Sequence, residues 1–269
     1  MIETVYIENQ IKKHPRTKEI LSRFKKKINI VYCDHYGEIF NIKSQNFRIQ
    51  KKKPALILAK KEGKKLHDIP KTFSIGGKKN YYFSHMLNCI YDCEYCFLQG
   101  KHMSAHYLLF VNYEDFFIEI EKKIKQNNFE KSYFFSGYDC DSLAFDGITN
   151  FVESFLPVFE KNKNGILEIR TKSVQIQKIL KHQPIENCII AFSFTPENIS
   201  KLKKSAENFS TQVENKKHCS QINDGSFTPI KSSKTEKWLK IHAHFSMSRH
   251  ITKYTRSFIE NCQDRLEIF

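Results

Sequence analysis

The sequence predicts an α/β fold built on a parallel sheet, and two observations favour it. From residue 81 onward, strand-like apolar runs alternate with segments whose apolar residues recur at helical spacing. Such alternation is typical of parallel strands joined by helices. In addition, residues 188–194 are almost wholly apolar, as a strand buried on both faces should be. We therefore expect functional side chains at the carboxyl ends of the strands.

The individual elements follow from local patterns. Pro54 marks the start of an apolar strand, and Phe116, Ile120 and Ile124 share one face of a helix. Residues 61–80 contain Gly63, Pro70, Gly76 and Gly77 and are interpreted as a connection. Predicted strands cover residues 4–7, 29–32, 55–59, 81–84, 132–135, 166–170 and 188–194; predicted helices cover residues 17–27, 113–125, 148–159 and 174–181.

Charge divides the 269 residues into three parts. Residues 1–80 hold 20 Lys/Arg against 7 Asp/Glu, a net +13, and form a basic N-terminal segment. Residues 81–200 hold 11 against 15 and carry the regular α/β pattern, whereas residues 201–269 hold 13 against 7 and lose it. A basic segment beside a near-neutral core suits binding to a phosphate backbone. The alternative is a general enrichment in lysine, such as an AT-rich genome produces.

Composition narrows the class of protein. The hydrophobic share of 40%, with 23 Phe and 12 Tyr, indicates a globular chain. There is no apolar run of about 18 residues, so we expect no transmembrane helix, and the N-terminus lacks the pattern of a secretory signal. We therefore expect a cytoplasmic protein whose eight cysteines are cluster ligands and buried thiols, not disulfides.

The spacing of Cys89, Cys93 and Cys96 is the strongest chemical signal. A C-x3-C-x2-C run can hold three irons of a [4Fe–4S] cluster and leaves the fourth iron open to a small molecule. Phe97, directly after the third cysteine, completes the signature of the radical S-adenosylmethionine (SAM) enzymes. The alternatives are an incomplete zinc site or three unrelated thiols, although zinc sites usually contain paired C-x2-C motifs.

Residues 82–100, YFSHMLNCIYDCEYCFLQG, resemble the spore photoproduct lyase branch of this superfamily, above all in the Cys-Phe-Leu-Gln ending. Residues 45–50, 54–60 and 136–143 are also similar to it, and the likeness extends to about residue 200. The resemblance implies a radical SAM partial (β/α) barrel. It further implies a lyase in which a reduced cluster cleaves SAM, and the resulting 5′-deoxyadenosyl radical attacks a methylene-bridged thymine dimer in UV-damaged DNA.

The same resemblance assigns the cofactor-binding residues. Cys89, Cys93 and Cys96 would hold the cluster, Lys172 would pair with the SAM carboxylate, and Ser193 would lie near SAM. Alternatively, Lys172 is a solvated turn residue. The remaining expected SAM-site residues are Ser136, Gly137, Asp141 and Ser142, unless they form an ordinary strand-to-helix turn with Asp141 as its cap.

The hydrogen-atom donor is a separate question. The resemblance places Tyr138 where the family has a donor cysteine, and Cys140 follows two residues later. In an extended stretch, residues two apart face the same side, so Cys140 would also reach the substrate. Otherwise Cys140 replaces a serine and has no catalytic role. The tyrosines at 91, 95 and 138 either relay a radical or simply pack.

The C-terminal third does not fit the expected barrel. The family barrel has six strands, but only four are recognisable before residue 200, so the fold is predicted to be truncated or disrupted beyond that point. Our hypothesis is a frameshift or a divergent lineage, which reading the DNA in the other frames would test. The competing functions are a radical SAM enzyme with another substrate and a nonfunctional nucleic-acid-binding remnant.

Overall fold

The computed structural model describes residues 2–69 and 78–193, apart from positions 92, 94, 95 and 184. Strands β1 to β10 are Thr4–Glu8, Asn29–Cys33, Leu56–Ala59, Leu66–Asp68, Lys79–Phe83, Met86–Leu87, Tyr107–Phe110, Ser132–Phe135, Gly165–Thr171 and Cys188–Phe192. Helices α1 to α8 are Pro15–Ser22, Gly37–Phe40, Phe47–Lys52, Leu98–Lys101, Tyr113–Gln126, Asp146–Thr149, Phe151–Lys161 and Gln177–Lys181. A 3-10 turn at Asn9–Ile11 precedes α1. None of the helices in the described part is long and apolar enough to span a membrane.

The strands form two five-stranded sheets. The first sheet has the order β2-β1-β3-β7-β6, in which β2, β1, β3 and β7 are parallel and β6 is an antiparallel edge strand. The second sheet has the order β10-β9-β8-β5-β4, in which β4 is the antiparallel edge strand. The predicted parallel α/β architecture is therefore confirmed.

Helices α5 and α7 supply the aromatic layer of the core. Phe155 of α7 stacks on Phe83 of β5 at 5.1 Å between ring centroids, and Phe116 of α5 packs beside the same ring at 6.1 Å. All three side chains are fully buried. Since burying one such side chain stabilises the fold by roughly 1.5–3 kcal/mol, this layer holds the second sheet firmly in place.

The chain passes between the two sheets more than once. Strands β4 and β5 belong to the second sheet, but the chain then returns to place β6 and β7 in the first. Strands of the two sheets therefore alternate along the chain near residue 80, where the charge pattern predicts the end of the basic N-terminal segment.

The structure corrects several element predictions. The stretch predicted as a connection, residues 61–80, contains β4. The predicted helix over 148–159 is two helices, because Asn150 has the left-handed value φ 54° that ends α6 before α7 begins. Strands β6 and β7 and helix α3 were not predicted from the sequence. The predicted disruption after residue 200 lies outside the described residues.

Candidate active site

The candidate site lies at the carboxyl ends of the parallel strands of the second sheet, as expected from the fold. Ser136 and Gly137 follow β8, Lys172 follows β9 and Ser193 follows β10. Because the carboxyl ends of parallel strands share one edge, the fold brings together residues that are far apart in sequence.

The cysteine loop runs from β6 to α4. Asn88, at the left-handed φ of 69°, turns the chain into the loop, and its side-chain amide donates to the carbonyls of Ser104 and His106, both at 2.7 Å. At the other end, the backbone N–H of Cys96 donates to the carbonyl of Cys93 at 2.9 Å. The bonds from Asn88 hold the start of the loop, and the bond from Cys96 holds its end, directly before α4 begins.

The thiol of Cys89 lies against the loop that follows β8. Burial and the carboxylate of Asp141 raise the pKa of Cys89, while backbone hydrogen bonds from Tyr91 and Asp141 lower it. A bound metal cluster would lower the pKa of Cys89, because a thiol that ligates a metal binds as the thiolate.

The donor set fits an iron–sulfur cluster by its chemistry, since three thiols at this spacing suit a [4Fe–4S] cluster with one open iron. Within the described residues, no group of three or more His, Cys, Asp and Glu side chains is already arranged to hold a metal ion. Cluster ligation by the cysteines at 89, 93 and 96 therefore stays a prediction.

Gly137 allows β8 and β9 to approach each other at the site. A Cβ atom at Gly137 would lie 2.8 Å from Cβ of Arg170 and 3.0 Å from Oγ of Ser142. Only glycine fits this contact without displacing its neighbours. The buried hydroxyls of Ser136 and Ser142 lie 2.8 Å apart, and Ser136 also donates to the carbonyl of Glu168 at 2.8 Å. These two serines shape the wall of the site through contacts with the protein itself.

Asp141 ties the loop after β8 to the end of β9. One carboxylate oxygen accepts from the backbone N–H groups of Leu143 and Ala144 and from the Thr171 hydroxyl, at 2.9–3.0 Å and 2.6 Å. The other accepts from the backbone N–H of Lys172 at 2.5 Å. Burial raises the pKa of Asp141, and these hydrogen bonds lower it. Its oxygens are satisfied within the protein, and they hold the turn before α6 instead of capping that helix, whose N-cap residue is Phe145. Contact of Asp141 with SAM stays a prediction.

Lys172 and Ser193, both expected near SAM, are brought together. The ammonium of Lys172 donates to the carbonyl of Ser193 at 3.3 Å. The backbone N–H of Ser193 donates to the carbonyl of Thr171 at 2.9 Å, which extends the pairing of β9 and β10 by one bond.

The structure exposes Tyr138 and buries Cys140, and the hydrogen-donor role of each stays a prediction. Tyr138 is 43% exposed, whereas Cys140 is 4% exposed and its sulfur lies 3.9 Å from the carbonyl of Ser136. Burial raises the pKa of Cys140. The reason for the difference in exposure is local: the chain bends at residues 138–140 instead of running extended, so the alternation of sides is lost.

An ion pair beside Tyr138 has no signature in the sequence. Asp139, 5% exposed, accepts hydrogen bonds from the Ser84 hydroxyl and the Lys101 ammonium. The nitrogen of Lys101 also lies 5.1 Å from the ring centre of Tyr138 and 5.4 Å from that of Phe97. The pair thus joins the helix after the cysteine loop to the loop after β8.

A family model agrees with this arrangement. The model described as spore photoproduct lyase matches residues 1–226 of the chain. The chain belongs to the spore photoproduct lyase family. The match continues past residue 200, where the likeness was expected to end, so that limit is corrected. A search of curated proteins gives no significant match.

Solved structures of spore photoproduct lyase have the same fold. A mutant with bound dinucleoside spore photoproduct superposes with a TM-score of 0.69 at 17% identity, covering 98% of this chain and 73% of that one. A double mutant with bound AdoMet and dinucleoside spore photoproduct gives 0.64 at 19% identity, covering 75% of this chain. The chain spans 58% of that second protein. The predicted α/β fold with parallel sheets, like that of these relatives, is confirmed, and within the described residues the two sheets do not close into a barrel.

Proposed function

We propose that this member of the spore photoproduct lyase family is a radical SAM lyase that repairs a thymine photoproduct in DNA. The observation that carries the proposal is the position of the cysteine loop, whose first thiol contacts the loop after β8 at the carboxyl edge of a family-type barrel. The relatives' structures with bound AdoMet and with dinucleoside spore photoproduct support this choice of cofactor and lesion.

The chain's own residues bind and orient the reactants. Cys89, Cys93 and Cys96 would hold a [4Fe–4S] cluster, which together with SAM supplies the 5′-deoxyadenosyl radical when both are bound. The Lys172 ammonium, beside Ser193, would pair with the carboxylate of SAM. Gly137 lets the loop after β8 pack directly against Arg170 and Ser142, which sets the shape of this edge.

Tyr138 is the better placed of the two hydrogen-donor candidates. A donor must reach the carbon radical of the opened lesion, and Tyr138 is exposed at the site whereas the thiol of Cys140 faces the core. In this role, the phenol O–H bond of Tyr138 breaks, its hydrogen atom forms a C–H bond with the carbon radical, and Tyr138 is left as a tyrosyl radical. Cys140 would then serve in packing.

The basic segment supports DNA as the partner. Residues 1–80 carry a net charge of +13, and binding to a polyanion through them would weaken steeply with salt. A cytoplasmic location belongs to the same proposal, because the cluster's thiolates require a reducing compartment.

The deciding experiment is anaerobic reconstitution with iron and sulfide, followed by reductant and SAM. We expect 5′-deoxyadenosine, and with DNA containing spore photoproduct we expect restored thymines. The matched controls are Cys93→Ala, which should abolish both products, and Cys33→Ala, a buried thiol of the first sheet that should not. If neither product forms despite a fully loaded cluster, the proposal is wrong and the remnant hypothesis is favoured.

The second candidate is a radical SAM enzyme that acts on another substrate. Tyr138, in the position where the resemblance implies a donor cysteine, favours it. Formation of 5′-deoxyadenosine without any repair of the lesion would select this candidate over the lyase.

A further inference from the structure

Four aromatic rings form a continuous strip from the cysteine loop to the edge of the second sheet. We call this group the aromatic strip; its members are Phe97, Tyr138, Tyr82 and His67. Neighbouring ring centroids are 5.7 Å apart for Phe97 and Tyr138, 4.3 Å for Tyr138 and Tyr82, and 5.0 Å for Tyr82 and His67. The last two contacts are stacked, with interplanar angles of 29° and 25°. The strip begins directly after Cys96, so it adjoins the site of the proposed cluster.

The two rings nearest the cysteines are exposed. Phe97 is 56% and Tyr138 is 43% exposed, whereas Tyr82 and His67 are half-buried beneath them. Large apolar rings that lie side by side in solvent form a patch of the kind that marks a ligand surface. Packing alone does not explain these positions, because neither exposed ring fills the core.

The exposed rings are held in place from behind. The buried Asp139 accepts hydrogen bonds from Ser84 and Lys101, and the ammonium of Lys101 lies within 5.4 Å of both ring centres. A cation in this position is attracted to the ring faces. The rings are therefore ordered before any ligand arrives, which reduces the entropy lost on binding.

Lysine side chains lie near the His67 end of the aromatic strip. Burial lowers the pKa of His67, the charges of Lys61 and Lys64 lower it further, and the carboxylates of Asp139 and Asp68 raise it, so two lysines and two carboxylates lie near this ring. Flat aromatic faces together with flanking cations are what proteins present to single-stranded nucleic acid, where bases stack and phosphates are neutralised.

We propose that the aromatic strip binds unpaired bases of single-stranded DNA beside the cofactor site, with Phe97 and Tyr138 stacking on the bases. Asp139 is a positioning residue that acts through Lys101. The inference rests on the proposed function only in taking DNA as the substrate. It explains how bases next to a lesion would be kept out of the duplex while the lesion faces the cofactor.

The test measures binding of the full-length protein to a short fluorescent oligothymidylate at fixed salt, without SAM. Tyr138→Ala should weaken binding roughly tenfold or more, the loss expected for one base–aromatic stack. Tyr138→Phe keeps the ring and should bind as the unmodified protein does. Tyr32→Ala is the matched control, since Tyr32 is also exposed, at 46%, and carries the Lys12 ammonium 4.1 Å from its ring centre.

An abasic oligonucleotide of the same length separates stacking from charge. It should bind more weakly than oligothymidylate, and Tyr138→Ala should weaken it no further. Asp139→Asn should reduce oligothymidylate binding several-fold and leave abasic binding unchanged. Equal binding by Tyr138→Ala and the unmodified protein, or an equal loss in Tyr32→Ala, would overturn the proposal.

The outcome is independent of the lyase test. If the strip does not bind bases, the lyase test still stands, because it is decided by Cys93→Ala and Cys33→Ala, and neither residue belongs to the strip. If the lyase proposal fails, oligothymidylate binding still reports on the strip. Tyr138→Phe also separates the ring from its hydroxyl: base binding should persist while repair, which needs the donor O–H, is lost.

Discussion

The two sheets have the same plan but different carboxyl edges. Each has four parallel strands and one antiparallel edge strand. In the first sheet, the fully buried Glu8 ends β1 and accepts from the backbone N–H groups of Tyr36 and Lys60, at 2.8 and 2.9 Å. Asn112 exchanges two hydrogen bonds with the backbone of Lys61 at the same edge. The protein's own loops therefore close this edge.

In the second sheet, the carboxylate of Asp141 has the role that Glu8 has in the first, but this edge also contains the candidate site. Asp141 binds the loop after β8 to β9, much as Glu8 binds the loops after β2 and β3. Around it, however, lie a required glycine, a lysine ammonium and the cysteine loop. The same strand arrangement therefore permits a functional site at the carboxyl edge of either sheet. The residues that follow the strands determine which edge carries the site.

Unfolding at low pH tests whether the two sheets unfold together as one cooperative unit. His85 lies between β5 and β6, where the chain passes from the second sheet to the first, and burial lowers its pKa to about 3. The unfolded chain has the higher pKa and binds the proton first, so stability is lost as pH falls from about 6.5 toward 3. We expect a loss of roughly 3.5 kcal/mol at pH 4 relative to pH 7.

Urea unfolding at the two pH values, followed by circular dichroism, measures this effect. His85→Leu should lack most of the acid sensitivity. Two separate transitions at pH 4 would show that the sheets unfold independently, and an unchanged pH response in His85→Leu would contradict the prediction.

Glu8 and Asp141, which have the same role at the two edges, allow a direct comparison between them. Glu8→Gln and Asp141→Asn each turn an amide N–H₂ toward a backbone N–H, and each should lower the free energy of unfolding by about 2 to 3 kcal/mol. Only Asp141→Asn should also weaken SAM binding, because it displaces the backbone of Lys172. Thermal unfolding and equilibrium dialysis with SAM measure the two effects. Weakened SAM binding in Glu8→Gln would contradict the division of roles.

Gly137→Ala should damage the second edge alone. Its Cβ would press on Arg170 and Ser142, which costs about 2 kcal/mol and should lower SAM affinity. Gly100→Ala is the control, since a Cβ there meets nothing within 4 Å. Denaturant titration and SAM dialysis on both variants compare them. Equal behaviour of the two would mean that the close approach at Gly137 has no consequence.

The smallest effect is expected at Cys140. Cys140→Ala removes one buried sulfur atom, so it should destabilise the fold by about 1 kcal/mol. Because this thiol faces away from the site, the yield of 5′-deoxyadenosine and of repaired thymine should be unchanged. Loss of repair with normal SAM cleavage would instead identify Cys140 as the hydrogen donor.

The sequence predicted the elements with a clear apolar pattern well and the two shortest strands poorly. The strand at Ser132–Phe135 and the helix at Tyr113–Gln126 agree with their predicted positions to within a residue, because their apolar patterns are long or sharply bounded. Strands β4 and β6 contain three and two residues, too few to show any period. They exist because neighbouring strands offer unpaired backbone groups, which a local pattern cannot show.

The site shows the same limit. Lys172 and Ser193 were recognisable because each lies in a motif that resembles the family's, and the structure brings them together. Asp139 was missed because its partners, Lys101 and Ser84, lie 38 and 55 residues away in sequence. An ion pair between such distant residues becomes visible only once the strands are in register.

The interleaving of the sheets has a consequence for synthesis. The first sheet is incomplete until β7 emerges from the ribosome, and the second until β8, β9 and β10 emerge, but the cysteine loop at 89–96 precedes all four. Translation proceeds from the N-terminus, so the three thiols are exposed to oxidants and to stray metal ions while both sheets are unfinished. Completion of the sheets shortens that period by bringing the loop to the edge of the second sheet, where the three thiols stay half-buried.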